Sequence, residues 1–188
     1  MPLARSLVQV ISEADYLAGE KLATERHEYV NGQTYLMAGA SKRHNRIARN
    51  FIICLEPIAN KQGCEIFFSD MKVRIEKNAA YYYPDVVISC EDDESNEYYL
   101  ETPCLIIEVT SDSTLRKDYM EKSLAYQGIP SLQAYLVVAQ DKPQIDMLTR
   151  STEGGWQLQQ FDRLEDEIYL PCLGCLLLVS EIYAGIEG

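Results

Sequence analysis

This sequence has no long apolar run, only two histidines and one tryptophan, and a shortage of positive charge. The best apolar stretch, Leu170 to Val179, is broken by Pro171 and Gly174, well short of the roughly 18 residues a membrane span needs. The opening MPLARSLVQVISEAD holds no uninterrupted apolar segment of signal-peptide length, which predicts a cytoplasmic chain with no membrane partner. No repeat, low-complexity tract or Gly/Pro/Ser-rich linker divides the 188 residues. They read as one domain, 1–188, long enough to bury a core without a covalent staple.

Basic residues number 17 against 29 acids, for a net charge of −12, which argues against a general nucleic-acid binder. The few cations are not spread evenly. Residues 21–50 hold Lys21, Arg26, Lys42, Arg43, Arg46 and Arg49 against Glu25 and Glu28. A local basic face on an acidic body can still hold a strand of DNA. Cysteine is present but does not form a metal pattern. Cys172-Leu173-Gly174-Cys175 has metal spacing, yet no second such pair exists and His27 and His44 are far away in sequence. The six cysteines are therefore expected to be buried reduced thiols, with no structural zinc on the Cys172–Cys175 pair.

The pattern of elements is mixed. Ser12-Glu13-Ala14-Asp15 starts a short capped helix, and Asn31-Gly32 between two apolar runs marks a β-hairpin. Ser41 caps a helix whose apolar positions are Ile47, Phe51, Leu55 and Ile58, with Pro57 expected to kink or end it. Strands follow at Cys64–Phe68, Lys72–Glu76, Tyr81–Ser89 and Cys104–Thr110, with an acidic loop, Glu91–Glu97, before the last. Ser111 or Ser113 caps a helix running to Gln127, then strands return at Ala134–Ala139, Gln144–Arg150 and Trp156–Phe161 before a terminal helix, Ser180–Ala184. Helices and strands do not alternate, which excludes a doubly wound dinucleotide fold. The expectation is an α/β (α+β) domain with a central mixed β-sheet flanked by helices.

Two strands carry a carboxylate where a hydrophobe belongs. Asp85 follows Pro84 and opens Val86-Val87-Ile88, and Glu108 sits near the end of Leu105-Ile106-Ile107-Glu108-Val109-Thr110. If the strands are neighbours, these acids converge. Adjacent buried carboxylates repel unless a proton or cation intervenes, and a hard divalent metal is the common solution. The bland alternative makes Asp85 a turn cap and Glu108 a solvated strand end. On the next helix Asp118, Lys122 and Tyr126 share one stripe. As a surface pair Asp118–Lys122 would contribute under about 1 kcal/mol, so Lys122→Ala is expected to leave folding nearly intact.

Taken together, these segments resemble the PD-(D/E)XK nuclease superfamily, with its restriction-endonuclease-like core. More narrowly they resemble a bacterial family of restriction-endonuclease-like proteins, formerly a domain of unknown function. The matching stretches are Arg26-His27-Glu28-Tyr29-Val30-Asn31-Gly32, His44-Asn45-Arg46-Ile47-Ala48, Ser69-Asp70-Met71-Lys72-Val73-Arg74, Tyr83-Pro84-Asp85-Val86-Val87 and Ile107-Glu108-Val109-Thr110-Ser111. Asp118 with Lys122 and Tyr126, Ile129 to Val138, and Leu170 to Tyr183 extend the likeness over nearly the whole chain. The superfamily's usual lysine would fall at Thr110. The resemblance moves that role to Lys122, with Lys72 as second candidate, and Ala139 replaces an acid often found after Val138.

The resemblance implies a Mg²⁺- or Mn²⁺-dependent nuclease. Asp85, Glu108 and the Val109 carbonyl would hold the metal, and Glu28 would be an additional acid. Lys122 would be the catalytic cation, with His44, Arg43, Arg46, Lys72 and Tyr126 toward substrate. The implied partner is DNA, through its phosphate backbone, with a homodimer left open. Two other classes remain: an inert DNA-binding or interaction module that kept the fold, and a hydrolase of a small phosphate ester.

Overall fold

Apolar alternation and turn chemistry lay out the elements seen in a computed structural model, which describes residues 10–91, 96–110 and 117–186. Ser12 caps α1 (Glu13–Glu20) by accepting from the Asp15 backbone N–H. β1 (His27–Val30) and β2 (Gln33–Leu36) pair antiparallel. Asn31 and Gly32 both take positive φ, 49° and 86°, the tight turn whose twist matches the strands. Ser41 caps α2 (Lys42–Lys61), which passes through Pro57 without ending. Pro57 lies one turn from the end of this helix, and the Ile53 carbonyl it leaves unpaired belongs to an exposed residue that water can reach.

β3 (Glu65–Phe68) and β4 (Lys72–Ile75) follow, and then the expected strand Tyr81–Ser89 is in fact two. β5 (Ala80–Tyr82) belongs to one sheet and β6 (Val86–Ser89) to another. Pro84 lies between them; with fixed φ and no N–H it cannot extend a ladder, so the chain changes sheets there. The remaining strands are β7 (Tyr99–Leu100), β8 (Leu105–Thr110), β9 (Ala134–Ala139), β10 (Ile145–Arg150), β11 (Trp156–Phe161), β12 (Glu167–Leu170) and β13 (Cys175–Leu178). Helix α3 (Lys117–Tyr126) connects β8 to β9, and α4 (Val179–Ile182) follows β13. The proposed caps Ser111 and Ser113 lie outside the described residues, as does the side chain of Asp118.

The six-stranded sheet has the order β11-β10-β9-β8-β6-β3, and β8–β9 is its one parallel pair. The five-stranded sheet is β2-β1-β5-β4-β7, and β12–β13 form a separate hairpin. The central mixed sheet expected from sequence is the six-stranded one, flanked by helices, and a second sheet and a hairpin accompany it. Strands β8 and β9 are covered on both faces, which explains their unbroken apolar runs. On one face Ile47, Phe51 and Leu55 of α2 pack with Ile88, Leu105, Ile107 and Leu136. On the other, Ala125 and Tyr126 of α3 pack with Val87, Ile106 and Tyr135. No helix among the described residues is long and apolar enough to cross a membrane.

The expectation of six reduced thiols is corrected. Cys64–Cys90 and Cys104–Cys172 are disulfides, and only Cys54 and Cys175 are free. Pairing of Glu65 with Ser89 sets Cys64 across from Cys90, and the Cys104 N–H donates to the Ile88 carbonyl one strand over. Positions far apart in sequence therefore meet at the ends of adjacent strands, which spacing alone cannot reveal.

Candidate active site

Glu108 and Asp85 come together through strand register. The β6–β8 ladder pairs Val86 with Ile107, so one step further Asp85 faces Glu108, and directly opposed residues project from the same face. Glu108 is 8 % exposed, and it is the one acid in the apolar run of β8. The Tyr126 hydroxyl donates to Glu108 Oε1 at 3.0 Å, and Lys122 Nζ lies 3.2 Å from the same oxygen. Lys122 also reaches Glu28 Oε1 at 2.7 Å, so α3 and β1 meet over the carboxylate. Lys122 is therefore not half of a surface pair: its side chain is 15 % exposed and bridges two acids.

Asp85 is held from two sides. His44 Nε2 lies 2.7 Å from its Oδ1, and the Val109 backbone N–H donates to Oδ2 at 2.7 Å. Ser41 accepts from the His44 N–H, so the helix cap that sequence located anchors the backbone of the residue whose imidazole meets Asp85. The Ser69 N–H donates to the Asp85 carbonyl at 3.3 Å, fixing the sheet-changing segment.

Burial sets the electrostatics. Removal from water pushes the Glu108 carboxyl above the usual range, and the charges of Asp85 and Glu28 add to this while Lys122 opposes it. For Lys122, burial acts downward, but the Glu108 and Glu28 charges outweigh it and hold the ammonium protonated. His44 behaves alike: burial lowers its pKa, yet the hydrogen bond and charge of Asp85 carry it upward on balance. Burial, then Glu108, raises the Tyr126 phenol, which stays a donor.

These groups surround a cavity of about 410 Å³ lined by His44, Asp85, Glu108, Val109, Thr110 and Lys122 together with the Met37–Ser41 segment. Thr110 Oγ1, where the superfamily's lysine would stand, is buried with no hydrogen-bond partner among the described residues. Among those residues, no three acid or imidazole ligand atoms of this site lie within 4.8 Å of one another.

Other candidates lie elsewhere. Lys72 opens onto a second cavity with Glu20, Arg26 and Asp70, and its ammonium is 5.2 Å from the Tyr83 ring centre. Burial lowers its pKa. Arg46 donates to the Gly185 carbonyl at 2.9 Å, and Arg43 lies 4.0 Å from Asp141. Sequence reasoning placed His44 toward substrate, whereas here it holds Asp85. It also missed the buried Glu20, which accepts from the His27 N–H at 2.8 Å and the Tyr83 hydroxyl at 3.0 Å. No sequence signal marked Glu20.

A mixed sheet with two acids at one end and a lysine delivered from the following helix defines a restriction-endonuclease-like fold. A crystal structure of a putative nuclease belonging to DUF820, from Anabaena variabilis ATCC 29413, superposes with a TM-score of 0.74. The match covers 93 % of this chain and 98 % of that one at 13 % identity, a likeness of fold. Residues 14–179 match the Uma2 family, described as "Putative restriction endonuclease", and the chain belongs to that family. Among its relatives are two proteins of Synechocystis sp. (strain ATCC 27184 / PCC 6803 / Kazusa). Uncharacterized protein slr1290 is 33 % identical over 177 residues, 94 % of this chain and 93 % of that protein. Uncharacterized protein sll1609 is 32 % identical over 155 residues, 81 % and 88 % of the two chains.

Proposed function

We propose that this chain is a metal-dependent endonuclease hydrolysing DNA phosphodiester bonds, with Asp85, Glu108 and the Val109 carbonyl as ligands for Mg²⁺ or Mn²⁺. The observation that carries this reading is the opposition of two carboxylates at one sheet end, with Lys122 lodged beside Glu108. The donor set suits a hard cation, being all oxygen. Each carboxylate oxygen has two lone pairs, so the bonds from His44 and Val109 leave Asp85 acceptor capacity. In extended backbone the N–H and C=O of one residue point to the same side, which turns the Val109 carbonyl toward Asp85. The orphan Thr110 hydroxyl is the kind of group a bound water satisfies.

A divalent cation there would lower the pKa of a bound water and neutralise charge on the scissile phosphate. The protein's own groups do the rest. His44 and the Val109 N–H fix Asp85, and Tyr126 fixes Glu108. Lys122, kept charged by Glu28 and Glu108, orients the attacking water or donates to a phosphate oxygen. Glu28 supplies a further acid, and Arg43, on the first turn of α2 beside His44, faces the backbone phosphates of the substrate. Arg46 and Lys72 are left out, since one is bonded to Gly185 and the other opens elsewhere.

One observation favours the inert-module reading: Lys122 already neutralises the two acids it touches. Incubation of supercoiled plasmid and oligonucleotides with Mg²⁺, Mn²⁺ or a chelator separates the two. The nuclease loses cutting on chelation and in Asp85→Asn and Glu108→Gln. DNA binding without cutting in either metal would overturn the nuclease reading.

A further inference from the structure

The opposite end of the same strands carries a second cluster, built from sulfur. Cys64 precedes β3, Cys90 follows β6, Cys104 precedes β8, and Cys172 lies in the turn between β12 and β13. Four of the six cysteines thus meet from four separate segments. Cys90 is bonded to Cys64, and its sulfur lies 3.5 Å from that of Cys104 and 3.7 Å from that of Cys172. The sulfurs of Cys90, Cys104 and Cys172 all lie within 4.8 Å of one another, and Cys64 reaches this triad through its bond to Cys90.

We propose that in its reduced form this cluster is a closed zinc site, with Cys64, Cys90, Cys104 and Cys172 as its four thiolates. With Zn–S bonds of about 2.3 Å, the sulfurs of a tetrahedral site stand about 3.8 Å apart. The two separations between the disulfides, 3.5 and 3.7 Å, are already close to that edge. Two sulfurs come from the apolar core, where Cys64 and Cys104 are 3 % and 5 % exposed, while Cys172 is half-buried and Cys90 faces solvent, so the cluster sits at the rim of the core where a metal could enter. Only the first cysteine of the Cys172–Cys175 pair takes part. Cys175 pairs with Leu170 in the β12–β13 ladder and stays free. The spacing that looked like a metal motif therefore supplies one ligand, and three isolated cysteines supply the others.

Conversion from the disulfide form balances with a dithiol reductant. Each of the two disulfides takes up two electrons and two protons from a dithiol, which leaves as its own disulfide. Zn²⁺ then displaces the four thiol protons. The site ties β3, β6 and β8 to the C-terminal hairpin at the sheet end away from Asp85 and Glu108, so it holds the frame and stands apart from the nuclease reading.

The test uses the full chain, produced in zinc-replete cells and purified anaerobically with a reductant. Expected are about one zinc per chain that survives dialysis, and its release by a mercurial as four thiols are titrated. Replacement of zinc by Co²⁺ should give the charge-transfer and d–d bands of a tetrahedral tetrathiolate site, a readout that needs no variant. Cys104→Ser should lower retained zinc at least tenfold, whereas Cys175→Ser and Cys54→Ser should retain it. Reduced protein without zinc would overturn the proposal. So would two disulfides persisting in reductant, zinc retained by Cys104→Ser, or cobalt bands of an octahedral, oxygen-rich site.

Discussion

Lys122 Nζ lies 2.7 Å from Glu28 Oε1, closer than the 3.2 Å to Glu108 Oε1. The first acid comes from the hairpin strand β1 and the second from β8, which belong to different sheets. One ammonium thus joins the two sheets at the floor of the site. The surface pair expected from sequence would be worth a few tenths of a kcal/mol, but this arrangement holds three charges largely out of water, and such a group that loses its partner is costly.

Lys122→Ala should accordingly destabilise the fold by about 3–5 kcal/mol, the cost of leaving the buried Glu108 and the partly buried Glu28 without their cation. Urea unfolding at neutral pH measures this. A loss below about 1 kcal/mol would mean the ammonium is solvated. If the chain cuts DNA, cleavage by the folded variant should fall about 100-fold or more, and Lys72→Ala should change it far less.

Tyr126→Phe removes one hydroxyl and leaves the ring in place. Tyr126 is fully buried, so no solvent replaces the lost donor to Glu108. The expected loss is about 1–2 kcal/mol, read as a lower melting temperature with unchanged secondary structure. An unaltered melting temperature would show that the hydroxyl does not bond Glu108.

His44→Ala should act through Asp85. Groups that orient a ligating carboxylate typically change metal affinity by about 10–100-fold when removed. Titration with Mn²⁺ followed by calorimetry should show weaker binding with unchanged stoichiometry. Equal affinity in the variant and the parent would assign the imidazole to substrate instead.

Asn50→Ala tests how α2 is tied to the C-terminal helix. The Asn50 amide donates to the Ile182 carbonyl at 2.8 Å and the Ala184 carbonyl at 3.0 Å, and the residue is buried. Removing it strands two acceptors and should cost about 2–3 kcal/mol. Chemical denaturation gives the value, and a change within about 0.5 kcal/mol would show the two carbonyls hydrated.

The fold was legible wherever a local rule had no tertiary competitor. Asn31-Gly32, the Ser41 cap and the apolar runs of β8 and β9 each specify their element from neighbouring residues. The sheet change at Pro84 was written in the proline yet read as one strand, because both halves are apolar. The hairpin β12–β13 straddles the start of the run Leu170 to Val179, and Tyr169, Leu176 and Leu178 are exposed apolar residues that blur alternation there. At the site, Asp85 and Glu108 stood out as acids interrupting hydrophobic strands. Partners could not be read the same way: the Lys122–Glu28 contact spans β1 and α3, His44 meets Asp85 across 41 positions, and the cysteine cluster depends on register between strands.

The large core also sets a schedule for synthesis. Ile168, Leu170, Leu173, Leu177, Val179, Ile182 and Tyr183 pack into the same cluster as Ile47, Phe51 and Leu55 of α2. A ribosome makes α2 long before it makes those partners, so the apolar stripe of the helix must wait, uncovered on that side, until residue 183 has left the exit tunnel. In the interval α2 offers a chaperone a helix-length hydrophobic surface, and the nascent chain is at its most vulnerable to aggregation there.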